Sequence, residues 1–109
     1  METLQFEFAG GRPAATATAT APVLVGVVAS GNLEILVEPL ALGGACRIEV
    51  ATAADGFGDV WRAVLADFVE RARPADLKLS INDVGATPAV VSLRLDQAIE
   101  EYRARAASA

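Results

Sequence analysis

Three short stretches of the chain alternate apolar and polar residues. They carry Leu4, Phe6 and Phe8 in TLQFEFA, Cys46, Ile48 and Val50 in ACRIEVAT, and Leu77, Leu79 and Ile81 in LKLSIND. A period of two puts successive side chains on opposite sides of a strand, so each stretch buries one face and wets the other. A half-buried sheet needs a cover. From Gly58 the period changes: Val60, Val64 and Phe68, flanked by Trp61, Leu65 and Val69, recur at helical spacing, which predicts an amphipathic helix ending near Pro74.

Two further runs, VLVGVVAS and LEILVEP, are rich in Val, Ile and Leu, and only Gly31 and Asn32 separate them. Gly beside Asn tolerates the positive φ that tight turns demand, so the pair predicts a hairpin with Ser30 at its rim. Ahead of it, GGRPAATATATAP offers little apolar bulk and reads as a mobile Ala/Thr-rich loop at about residues 10–22. LALGG and VGATP read as turns. After Pro88 the pattern is double: Val91, Leu93 and Leu95 alternate like a strand, while Val91, Leu95, Ala98, Ile99 and Tyr102 form a helical stripe. The β-branched pair Val90-Val91 favours a strand to about Leu95, followed by a helix from about Asp96 with a Glu101–Arg105 pair. The expected fold is α+β, a single domain over residues 1–109. Its sheet is mainly antiparallel, of about five to six strands, with two helices packed on one face.

Composition narrows the function. Net charge −5 and pI 4.6, without a run of Lys or Arg, disfavour nucleic acid and anionic membrane as partners. The longest apolar stretch, Ala21 to Ala29, is about half of the roughly 20 residues a spanning helix needs. Histidine is absent, which removes the commonest general base near neutral pH. One cysteine and no histidine make a poor zinc site, and METLQFEFAGG lacks the features of a secretory signal, so a cytoplasmic location is expected.

Few residues remain to carry chemistry. Ser30 has small neighbours, Ala29, Gly31 and Asn32, which suit an exposed, modifiable hydroxyl as well as an ordinary turn. Cys46 lies mid-strand and reads as a small buried hydrophobe. Asp55 and Asp59 in ADGFGDVW read as turn and helix-start residues, without the spacing of a phosphate-binding loop. INDVGATP, with Asn82, Asp83, Gly85, Thr87 and Pro88, reads as a hairpin whose Asn and Asp bond the backbone. Trp61 and Tyr102 fall on core stripes.

Taken together, METLQFEF, LVGVVASGNLEILVEP, GFGDVWRAVLADFVERA and INDVGATPAVVSLRLDQAIEE resemble the acyl carrier (delta) subunit of bacterial malonate decarboxylase. More distantly, the chain is similar to the acyl carrier (gamma) subunit of citrate lyase. The resemblance implies a non-catalytic carrier, with Ser30 holding a phosphoribosyl-dephospho-CoA arm, derived from triphosphoribosyl-dephospho-CoA, through a phosphodiester. It further implies that acetyl and malonyl groups ride on this arm as thioesters while malonate is converted to acetate and carbon dioxide. The implied partners are acyl transferase and decarboxylase subunits and a prosthetic-group transferase (holo-carrier synthase). Apart from the resemblance, the small Gly31 would give the modifying enzyme clearance and Asn32 would hold the turn. No Asp-Ser-Leu element of the helical phosphopantetheine carriers occurs. An unmodified scaffold subunit, and an enzyme using Asp55, Asp59 and Asp83, are the alternatives from other classes.

Overall fold

The computed structural model describes residues 1–11, 23–25 and 32–108. Its elements run β1 (Glu2–Phe8), β2 (Val23–Val25), β3 (Leu33–Pro39), β4 (Cys46–Thr52), α1 (Gly58–Ala72), β5 (Leu77–Asp83) and α2 (Pro88–Ser108). Across the sheet the order is β1-β4-β5-β3-β2. β1 pairs antiparallel with β4, from Glu2 opposite Thr52 to Phe8 opposite Cys46. β5 pairs antiparallel with β3, from Leu77 opposite Pro39 to Asp83 opposite Leu33, and the short β2 lines the far side of β3. Among the described residues only β4 and β5 run parallel, because α1 returns the chain along the sheet before β5 begins.

The alternation sorts as expected. Phe6, Ile35, Val37, Cys46, Ile48, Val50, Leu79 and Ile81 are buried in one cluster with Trp61, Leu65 and Phe68 of α1 and Val91, Leu95, Ala98, Ile99 and Tyr102 of α2. Both helices therefore cover the same face. The opposite face is polar, with Lys78 paired to Glu49 and Arg47 to Glu7. Helix α1 ends where Arg73 turns left-handed at φ 50° and donates its N–H to the Val69 carbonyl, one residue before Pro74. Val60, expected on the core stripe, is instead 43% exposed.

The main correction concerns residues 88–95, expected as a strand. They open α2: Val90 donates its N–H to the Thr87 hydroxyl, an N-cap, and Pro88 supplies a first helical residue that needs no donor. Helical spacing buries Val91 and Leu95 but leaves Leu93 55% exposed, whereas a strand would put all three on one side. INDVGATP is accordingly a strand-to-helix connection and not a hairpin. The α+β class stands, with a mixed sheet of four seven-residue strands and a three-residue fifth. The Glu101–Arg105 pair forms at 3.2 Å. Of the expected Ala/Thr loop, residues 12–22 lie outside the described residues.

At the end of the sheet where β5 begins, Asp76 organises the LALGG turn. At φ 56° it directs one carboxylate oxygen to the N–H groups of Leu42 and Gly44, 2.9 Å each, and its own N–H to the Ala45 carbonyl. These two N–H donors hold its carboxyl below the usual carboxylate range.

Two predictions follow from these contacts. Leu95→Ala should cost about 2–5 kcal/mol in urea denaturation and Leu93→Ala less than about 1 kcal/mol; equal costs would restore the strand. The lowered carboxyl of Asp76 stabilises the fold above its unfolded value, and that stabilisation is lost as pH falls through the folded value. Asp76→Asn should therefore be less stable than the parent at neutral pH, with the gap closing in acid; a pH-independent gap would show that the charge contributes nothing.

Candidate functional site

Strand β5 ends at Asp83 and β4 at Thr52, directly opposite each other, and β3 begins beside Asp83 at Leu33. Asp83 is buried and fully engaged. One carboxylate oxygen accepts the Thr52 hydroxyl at 2.8 Å; the other accepts the N–H groups of Ala86 at 2.8 Å and Gly85 at 3.2 Å. The Thr52 oxygen in turn accepts the N–H of Ala54 at 3.1 Å. One side chain thus ties the β4–α1 connection to the β5–α2 connection. Gly85 bends the latter at φ 110°, a backbone conformation that a side chain would strain.

The two connections diverge and leave a cavity of about 340 Å³ between the starts of α1 and α2. Its lining is apolar: Phe57, Val60, Trp61, Ala86 and Val91 contribute, with Thr52 and Asp83 at the sheet end. At or beside its rim Phe57, Val60 and Val84 are 50%, 43% and 65% exposed. This explains Val60: it leaves the core stripe to line the cavity.

Of the predicted site residues, Asn32 meets this end of the sheet. Ser30 and Gly31 lie outside the described residues. Asn32, the last residue before β3, accepts the N–H of Val84 through its carbonyl at 2.8 Å, so it is fixed to the connection that borders the cavity. Two peptide units separate residue 30 from Asn32, at most about 7.6 Å of chain. β2 runs antiparallel to β3, with Val25 opposite Ile35, so Val25 is the residue of β2 nearest the start of β3. The other candidates are structural. Cys46 is fully buried, and burial pushes its thiol up to about 12. Asp55 faces the chain's amino terminus at 3.6 Å, and Asp59 sits in the first turn of α1. Trp61 and Tyr102 are buried in the core, Trp61 also lining the cavity.

Comparison with known proteins places this geometry. The family model described as malonate decarboxylase delta subunit (MdcD) matches residues 20–102. The chain is 62% identical over 100 residues to a malonate decarboxylase acyl carrier protein of Xanthomonas campestris pv. campestris (strain B100), covering 92% of this chain and 93% of the relative. It is 59% identical over 101 residues to the protein of the same name from Burkholderia cepacia, covering 93% and 90%. A chain of the crystal structure of a Pseudomonas malonate decarboxylase hetero-tetramer in complex with malonate superposes with a TM-score of 0.78 at 41% identity, covering 94% of this chain and 99% of that one. These matches put the chain among the acyl carrier proteins. Within them, it belongs to the malonate decarboxylase delta-subunit family.

Replacing Asp83 tests the junction. Asp83→Ala leaves the Thr52 hydroxyl and two N–H groups without their acceptor and should cost about 1–3 kcal/mol in urea denaturation, with Asp83→Asn intermediate because its amide oxygen can still accept the two N–H groups. An alanine variant as stable as the parent would show that the connections hold themselves.

Proposed function

We propose that the chain is the acyl carrier subunit of a malonate decarboxylase and that Ser30 is the attachment point of its prosthetic group. The observation that carries this reading is near-full-length likeness to relatives named malonate decarboxylase acyl carrier protein. Of the two carrier families that the sequence resembles, these matches favour malonate over citrate. The partners are then the acyl transferase and decarboxylase subunits, in keeping with the hetero-tetramer of the Pseudomonas relative, and a separate holo-carrier synthase that installs the group.

The residues around the connection suit a tether. Asn32 is pinned by Val84, whose neighbours Asp83 and Gly85 line the apolar cavity, so a group attached two residues earlier has a fixed anchor within about 7.6 Å of chain. When attached, the phosphoribosyl-dephospho-CoA group supplies a thiol that holds the acyl chain as a thioester. The chain itself contributes a tether, and tethering raises the effective concentration of the acyl group at any partner that docks on the carrier. Ser30 provides the linking oxygen, Gly31 the clearance and Asn32 the anchor. A carrier of this kind delegates catalysis, and the chain has no histidine with which to supply a neutral general base.

Ser30→Ala should keep the circular dichroism spectrum and the urea midpoint of the parent within about 1 kcal/mol. Incubated with the holo-carrier synthase and triphosphoribosyl-dephospho-CoA, the parent should gain the mass of the attached group and the variant should not. A variant that is still loaded would move the attachment point elsewhere.

A further inference from the structure

We infer that the cavity between the starts of α1 and α2 is a resting site for the acyl end of the group on Ser30, and that it accepts the neutral acetyl form and rejects the charged malonyl form. The inference rests on the carrier reading above and deepens it by assigning the residues that line this cavity a choice between acyl groups.

Position favours this occupant. The cavity lies at the end of the sheet where Asn32 is bonded to Val84, and Val84 lies between two residues of the cavity wall, Asp83 and Gly85. A ligand tethered within a few residues of a pocket samples it at high effective concentration, so even weak contacts hold it there part of the time. At about 340 Å³ the cavity lies near the lower end of small-molecule sites, room for the thioester end and not for the nucleotide portion as well. The rim also needs a reason to be apolar. Phe57 and Val60 are about half exposed although helix starts are ordinarily polar, and a resting acyl arm would cover them.

Chemistry supplies the selection. Removing carbon dioxide from a malonyl group leaves acetyl, so a carrier in this reaction alternates between a group with a free carboxylate and one without. The cavity wall offers side chains of Phe57, Val60, Trp61, Ala86 and Val91 to either. Its hydroxyl and its carboxylate are already committed, since Thr52 donates to Asp83 and Asp83 also accepts from Gly85 and Ala86. An incoming carboxylate would lose its water, find the Thr52 hydroxyl in use, and approach the like charge of Asp83. The first turn of α1 carries Asp59, which already answers the positive end of that helix. Acetyl meets no such penalty. The malonyl form is consequently left in solvent, where a decarboxylating partner can take it, and the acetyl product is shielded until the next exchange.

The test uses the isotopically labelled full chain in its apo form and loaded as acetyl and as malonyl, with intact mass and peptide fragmentation confirming the group on Ser30. Nuclear magnetic resonance then follows the amide signals of Val60, Gly85 and Ala86 and the indole N–H of Trp61. The acetyl form should shift these signals from their apo positions, the malonyl form should leave them there, and Val60→Trp, which fills the cavity from its exposed side, should abolish the acetyl shifts. Hydroxylamine should also cleave the acetyl thioester several-fold more slowly in the parent than in Val60→Trp. Absence of the mass increment from Ser30 would overturn the carrier reading and this inference together. With the increment present, unshifted signals in the acetyl form would overturn the resting site alone, and equal shifts in the two forms would overturn the selection. Shifts that appear only when the other subunits are added would assign the cavity to a partner instead.

Discussion

Parallel pairing of β4 with β5 decides what this small domain can present. Two neighbouring strands that run the same way end at the same end of the sheet, so the helices that follow them both begin there. With both helices on one face, their starts are separated only by the width of two connections. Asp83 keeps those connections at a fixed spacing by holding Thr52 on one side and Gly85 and Ala86 on the other. The cavity follows from that spacing. β3 starts at the same end, because it runs antiparallel to β5 with Leu33 beside Asp83.

Much of this was legible in the sequence where local periodicity decides structure. Leu77, Leu79 and Ile81 alternate and are buried together; Arg73 and Pro74 stop α1 where the apolar stripe stops. The start of α2 was ambiguous because Val91 and Leu95 satisfy both periods, and only Leu93 separates them. Thr87 followed by Pro88 was the signal that could have settled it, a hydroxyl cap ahead of a first-turn proline, which outweighs the β-propensity of Val90-Val91. Strand direction was not legible at all. Nothing in LKLSIND states whether its neighbour runs with it or against it, since that depends on where α1 returns the chain.

The site was legible in a different sense. Local spacing marks Asp83 as a turn residue that bonds backbone, which it is, but its bond to Thr52, 31 residues earlier, is a tertiary contact that spacing cannot reveal. Val60 belongs to the core stripe by spacing and yet serves the cavity, because a helical stripe shows which residues share a face and not how far that face extends beyond the sheet. Ser30 came forward through resemblance, supported by its place in a short connection between two apolar runs. The coherence of the account lies in the convergence of those two lines: the connection that resemblance singles out is joined to the same end of the sheet where the fold leaves an apolar cavity.

The most direct measurement of the central claim is the intact mass of this chain, with fragmentation of the peptide spanning residues 27–36, after isolation from its own cells growing on malonate. The account predicts a mass increment equal to the phosphoribosyl-dephospho-CoA group, confined to Ser30. An unmodified chain recovered from an actively decarboxylating complex would contradict it.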